Sequence, residues 1–366
     1  MKKVKAMMLG LLVSTSIGMA AMPMQEAQAF SLGDVLGTVV EGAAQYKQLD
    51  DYIHQVNDTE EGRQAYFAEL KNQMGVSDDW YHKQMLDDIM SRLTDGVGAY
   101  DSSVYDKPFL YFLNNDESFN ASCGLGHVMT VNKGLFGISD NIDEVAVVLG
   151  HEMAHGMKDH CVSGNKKKAR TVITASVAAE AMGGGLAANA CLSALVGQIN
   201  NVHIGKKNEW EADNLGMDYA YAAGYNPGAG AALWVRVQEK MGEYKNSFVG
   251  EIFSPNDHPS NADRQKNYEK RLTAISGNHV TIKKDSNMVQ INGKDFTEAA
   301  GLSGMSAAER KYFVMGNLAA AYDHGDAKSA ARNVNGTVYL GNQAIMTPAA
   351  GDKSADELVA ILNKIK

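Results

Sequence analysis

Between Leu149 and His160 the chain reads Leu-Gly-His-Glu-Met-Ala-His-Gly-Met-Lys-Asp-His. His151 and His155 are four residues apart, one helical turn, so both imidazoles can face one metal ion. Glu152 lies about 100° further round the same helix, near enough to take a proton from a water at the ion without being a ligand. Amide hydrolysis assisted by zinc needs this set: nitrogen ligands for the ion and a carboxylate base for the water. Chance supplies the pattern in about one or two of a hundred chains of this length, so the surrounding sequence has to decide.

An ion held by two histidines needs a third protein ligand and an open fourth position. Downstream stands Asn208-Glu209-Trp210-Glu211-Ala212-Asp213, inside a stretch of helical period. Glu209 and Asp213 are again four apart and share a face, so Glu209 can ligate the same ion. Asp213 can then accept the second ring N–H of a ligand histidine, His151 by preference, and fix its tautomer. Glu211 falls on another face and reads as a surface carboxylate. His160, nine positions and about 900° beyond His151, falls on the far side of the helix and reads as a helix-end or packing residue. His54, His82, His203, His279 and His324 have no motif around them and read as solvated.

The period of the apolar positions outlines the elements that must hold these groups. Val35, Val39, Val40, Tyr46, Leu49 and Ile53 form a helical stripe, and Thr59-Glu60-Glu61 opens a second helix. Ser77-Asp78-Asp79-Trp80 caps a third, with Met85, Ile89 and Leu93 at helical spacing. The period then changes, and residues 109–113 and 127–131 read as strands bounded by turn residues. Helices are expected again from Asp143, around Glu209, and from Ala231 to Met241.

Together these segments resemble the HtpX-like and CAAX-prenyl-protease family of zinc metallopeptidases, metallopeptidase family 48, in its soluble periplasmic form. His151-Glu152-x-x-His155 and Glu209-x-x-Ala212-Asp213 are similar to its metal motifs, Phe119 to Phe136 to its Asn-Ala edge-strand segment, and Asp257 to Arg264 to its His-Pro-x-x-x-x-Arg motif. The parts stand in family order within about residues 75–272. The resemblance implies a gluzincin-like metallopeptidase domain, α+β and mostly helical, with a small edge β-sheet, one zinc ion per chain and polypeptide substrates. It implies Asn120 and Ala121 as the strand that pairs with substrate. His258 is implied as a loop histidine facing the metal, either stabilising an oxyanion or filling the open position to gate it. Arg264 is implied as an anchor for that loop or for nearby carboxylates, with a substrate contact as the lesser option. Leu125-Gly126-His127 departs from the Pro-Gly-Gly-like turn common in the family, so the cleft wall there should differ in shape. The expected function is hydrolysis of unfolded or misassembled envelope proteins. The competing reading is a chaperone or assembly factor whose metal site is closed.

Residues 1–29 read as an export signal: Lys2, Lys3 and Lys5 precede an apolar core from Met7 to Met22, and Ala27-Gln28-Ala29 is a cleavage site. The expected location is the periplasm or the medium. Removing that segment, with its three lysines and Glu26, takes the formal charge from −9 to −11. With no basic cluster, this balance argues against nucleic acid and anionic lipid as partners and leaves peripheral association with a membrane or envelope proteins. Of Cys123, Cys161 and Cys191, the expected bridge is Cys161 with Cys191, three buried thiols being the alternative. Thr171 to Gly197, whose one charge is Glu180, is expected to form two short packed helices broken at Gly183 rather than a membrane hairpin.

The expected domains are a signal peptide at 1–29, a metallopeptidase domain at 30–275 and a small α+β module at 276–366. In that module a hairpin pattern at 280–293 and a helix from Ser306 to Tyr322 are followed by strands from Thr337 and a helix from Ser354, a weak internal duplication. It carries no catalytic constellation and reads as a recognition or docking element. Since every implied ligand and motif ends by Arg264, the catalytic centre is expected to be complete without residues 280–366.

Overall fold

A computed structural model of the chain describes Lys47 and residues 50–167, 205–241 and 259–366. The export signal, most of the first helical stripe, the 171–197 insert, Cys191, His203 and His258 lie outside these residues. The described parts gather into two compact units: one draws on residues 1–69, 124–128 and 158–205, the other on 70–123, 129–157 and 206–366.

The first unit contains a helical stretch at 50–58, the opening of helix α1 (Glu60–Met74), and the turn at 124–128. Side chains clamp that turn: the Gly126 N–H donates to Asn57 Oδ1 at 2.9 Å, and Arg63 Nε donates to the Gly126 carbonyl at 2.6 Å. Gly126 and His127 both have positive φ, 68° and 56°. A Cβ on Gly126 would also lie 2.7 Å from the Val56 carbonyl, so only glycine fits there. At the point where proline rigidity is missing, buried Arg63 supplies the restraint.

In the second unit, helix α2 (Trp80–Gly98) starts at Asp79, whose carboxylate accepts the His82 N–H as the cap expects. Its apolar stripe, Leu86, Ile89, Met90, Leu93 and Val97, is buried. Strands β1 (Leu110–Asn114), β2 (Ala121–Cys123) and β3 (Val128–Asn132) follow, ordered β1-β3-β2. β2 is thus an outer strand, antiparallel to β3 with Ala121 opposite Val131. A short helix α3 (Gly134–Ile138) leads into α4 (Ile142–Met157), then come α5 (Lys206–Ala222), α6 (Ala229–Met241) and α7 (Asn261–Ile275). α4 is buried on nearly all sides, packed against α2, α5, α6 and β2. The fold is α+β and mostly helical, as the resemblance implies. Among the described residues no helix is long and apolar enough to cross a membrane.

The duplication is sharper in three dimensions than in sequence. Strands β4 (Val280–Ile282), β5 (Met288–Ile291) and β6 (Lys294–Glu298) form an antiparallel sheet followed by helix α8 (Ala307–Asp323). β7 (Ala331–Val334), β8 (Thr337–Leu340), β9 (Gln343–Met346) and α9 (Ala355–Ile365) repeat that order. Both sheets have a register shift in their second pairing, after Val289 and after Val338, and both helices open on a capping box, Ser306 with Glu309 and Ser354 with Glu357. β6 and β7 escaped the sequence pattern because their outward faces are mostly polar: Phe296 and Thr297 of Lys-Asp-Phe-Thr-Glu are buried, and Ala331 alone of Ala-Arg-Asn-Val. These repeats share one compact unit with the helices from α5 onward, α8 lying against α6 and α7.

Candidate metal centre

His151, Glu152 and His155 project from the buried C-terminal half of α4, while Glu209 and Asp213 project from the first half of α5. The two helices meet at Gly150 and Gly216: a Cβ on Gly216 would stand 2.5 Å from the His151 backbone nitrogen. That close crossing carries Glu209, two turns before Gly216, over the imidazoles. The His151 and His155 Nε2 atoms are 3.0 Å apart. Glu209 Oε2 lies 3.6 Å from His151 Nε2, and Oε1 lies 3.4 Å from His155 Nε2.

These spacings test whether a metal fits. Tetrahedral ligands about 2.0–2.1 Å from zinc lie about 3.3 Å from one another, and the three separations bracket that value. His151, His155 and Glu209 are also the one group of three potential ligands that converges among the described residues. The donor set, two imidazole nitrogens and a carboxylate, suits zinc and leaves a fourth position for water or substrate.

Around the three ligands is a second ring of contacts. His151 Nδ1 stands 3.0 Å from Asp213 Oδ1, close but off the direction of a hydrogen bond. Arg264 on α7 donates from Nε to Asp213 Oδ2 at 2.8 Å and from Nη2 to Glu209 Oε2 at 3.1 Å. All three of these side chains are 1% exposed. Charge-assisted hydrogen bonds in such dry surroundings fix geometry strongly. Trp234 on α6 lies with its ring 4.8 Å from the Arg264 guanidinium, and Tyr268, one turn after Arg264, donates to Asp213 at 3.4 Å.

Glu152 points to another neighbour. The Cys123 backbone N–H, at the end of outer strand β2, donates to Glu152 Oε2 at 3.0 Å. Burial pushes the Glu152 carboxyl up to about 7; the His151 imidazole opposes this and Glu209 adds to it. A carboxyl poised near neutral pH can both accept and return a proton. Just before that strand the Asn120 carbonyl accepts the Asn132 N–H at 2.9 Å, and on it Ala121 pairs with Val131. The Asn120 side-chain oxygen is buried and has no hydrogen-bond partner among the described residues.

The structure thus brings together His151, Glu152, His155, Glu209, Asp213 and Arg264, with Ala121 on the strand that ends at Glu152's amide partner and Asn120 just before it. Glu211 is exposed as expected, and His160 is buried. Three contributors had no motif: the Cys123 amide, Trp234 and Tyr268. A backbone donor leaves no trace in residue types. Arg264 and Tyr268 stand one turn apart on α7, and that spacing would have exposed the third had a helix been expected there.

Two histidines and a glutamate converging on one point, with a second glutamate beside them, are the arrangement that a metallopeptidase centre requires. The sequence model of peptidase family M48 matches residues 82–272, just over half of the chain, and the chain belongs to that family. It is 29% identical over 189 residues to a putative beta-barrel assembly-enhancing protease of Vibrio cholerae, a match covering 48% of this chain and 37% of the relative. It is 26% identical over 173 residues to the beta-barrel assembly-enhancing protease of Escherichia coli K12, covering 45% and 34%. The chain thus spans about a third of the length of these relatives. To the metalloprotease LoiP of Escherichia coli K12 it is 25% identical over 284 residues, covering 74% of this chain and 98% of that one.

Proposed function

We propose that the chain is a zinc-dependent endopeptidase that cleaves unfolded or misassembled proteins of the cell envelope. The observation that carries the chemistry is the convergence of His151, His155 and Glu209 beside the Glu152 carboxyl. The relatives named as beta-barrel assembly-enhancing proteases and as LoiP support the substrate class. Export to the periplasm, read from residues 1–29, suits that class.

A zinc ion bound there would polarise the scissile carbonyl and make a nearby water more acidic. Glu152 takes the proton of the attacking water and returns it to the leaving amine, and its raised affinity for that proton suits both steps. The Cys123 N–H holds one carboxylate oxygen, leaving the other for water. Outer strand β2 offers the substrate backbone a row to pair with, and Asn120 contributes a buried acceptor at its start. Asp213 and Arg264 hold the ligands in place and take no proton. His258 is assigned to oxyanion stabilisation or to gating of the open position, through its motif.

The test is casein digestion by the purified protein before chelation, after chelation and after zinc is returned, alongside Glu152→Gln. Cleavage should vanish on chelation, return with zinc and be absent from the variant. Undiminished cleavage by Glu152→Gln would sink the mechanism. His258→Ala belongs in the same assay, where a gain in rate marks a gate and a loss marks an oxyanion contact.

A further inference from the structure

We propose that α8, the first helix of the duplicated C-terminal module, is a positioning element of the metal centre. The module lies beyond the family match, which ends at residue 272, and the proposal rests on the metal reading above. Three sets of contacts carry it.

The first is a buried triad. Arg236 on α6 sets its Nε 2.8 Å from Glu144 Oε2, in the first turn of α4, and its Nη2 3.2 Å from Glu309 Oε2, in the first turn of α8. Glu144 precedes His151 by seven residues, two turns on the same face of one helix. Glu144 also accepts the Ser139 hydroxyl, and Glu309 accepts the Ser306 N–H at 3.1 Å. All three charged side chains are at most 4% exposed, so none can relax into water if a partner goes.

Asn226, in the loop between α5 and α6, makes the second set. Its backbone N–H donates to Asp143 Oδ1 at 3.0 Å, again in the first turn of α4. Its side-chain amide donates to the Phe313 carbonyl at 3.1 Å and to Asn317 Oδ1 at 2.9 Å, both on α8. The loop lies flat on α8: a Cβ on Gly228 would stand 1.9 Å from the Tyr312 carbonyl, and one on Gly316 would stand 2.0 Å from Asn226 Oδ1.

The third set reaches α7. Tyr312 donates its hydroxyl to Glu269 at 2.6 Å and accepts from Gln265 at 3.0 Å. Gln265 adjoins Arg264, the residue that holds Glu209 and Asp213. One helix of the module is therefore linked, through Arg236 and Asn226, to the start of the helix bearing both histidines, and is bonded directly to the helix that restrains the third ligand. A ligand set tolerates displacements of only about 0.5 Å, so fixing both helices fixes the site. The expectation that the centre stands complete without residues 280–366 changes accordingly.

The experiment uses the full chain and zinc as probe, competed against a chromophoric chelator at a temperature where circular dichroism shows every variant folded. Arg236→Met should weaken zinc binding about tenfold or more, and the conservative Arg236→Lys should restore it to within about threefold of wild type. Asn363→Ala is the control. It breaks two hydrogen bonds from α9 to the Ala331 backbone on β7, at 2.8 and 3.0 Å and away from α8, and should lower the melting temperature without moving zinc affinity. Should Arg236→Met fail to fold, Asn317→Ala replaces it, with a loss of about threefold or more expected against none for the control. Unchanged zinc affinity in Arg236→Met, or in Asn317→Ala where that is used, overturns the proposal alone. So does an equal loss in Asn363→Ala, which reduces the effect to general stability. A wild-type chain that takes up no zinc overturns the metal reading itself.

Discussion

Arg264 and Arg236 sit in the same compact unit and face the same electrostatic problem. Each is buried between two carboxylates, Glu209 and Asp213 in one case and Glu144 and Glu309 in the other. Each leaves one negative charge in excess in a place where water cannot screen it. At Arg236 the excess is eased by a raised proton affinity: burial drives the Glu144 carboxyl up to about 7, the Ser139 hydrogen bond and Arg236 only partly opposing it. At Arg264 two imidazoles turn their Nε2 atoms toward Glu209 and toward each other. There the excess is available for a divalent cation. The same charge motif makes a helix brace without histidines and a metal centre with them.

The largest effect expected is on chemistry, which only one of the two regions performs. Glu152→Gln should cut peptide cleavage by about 10²–10⁴-fold while zinc content stays at the wild-type level. An equal loss in Arg236→Met, with zinc saturating, would erase the distinction.

Next come the arginines. Arg264→Met and Arg236→Met each strand buried carboxylates, at a cost of about 3–5 kcal/mol in zinc-free protein. Added zinc should recover part of the loss at Arg264, where the ion supplies positive charge, and none at Arg236. Urea midpoints with chelator and with zinc read this directly.

The proton at Glu144 predicts a pH dependence of definite sign. Its folded-state pKa of about 7 lies above the ordinary 4.5, so its contribution is full below pH 4.5 and is lost as pH rises through 7. The loss is on the order of 3 kcal/mol. Glu144→Gln should flatten the fall in stability between pH 5 and 8, measured in chelator. A fall equally steep in the variant would show that the excess charge is not settled there.

The smallest expected effect is at the metal's outer ring. Asp213→Ala should weaken zinc affinity about 10–100-fold, by freeing the His151 ring and unpairing Arg264. Affinity unchanged in a chelator competition would make Asp213 a partner of Arg264 only.

The candidate metal centre was legible because such chemistry fixes residue types at fixed spacings: His151 to His155 and Glu209 to Asp213 are each one turn. Arg264 was legible through its motif, and its two carboxylate partners follow from where α7 lies. The Glu152 restraint was hidden because Cys123 contributes an amide, which any residue but proline would offer. The Arg236 triad was hidden for a different reason. Glu144, Arg236 and Glu309 are far apart in the chain and each suits an ordinary helix surface, so only packing reveals that they meet. The repeat of strands and a helix was visible, but not that α8 would pack against the peptidase helices, since its apolar face says that it docks and not where.

Metal analysis of the purified chain tests the central claim most directly. Wild type, His155→Ala and Glu152→Gln would be freed of metal, incubated with excess zinc, desalted and assayed for bound zinc. The expected result is about one zinc per chain in wild type and in Glu152→Gln, and almost none in His155→Ala. Zinc retained in full by His155→Ala, or absent from wild type, would contradict a centre built on His151, His155 and Glu209.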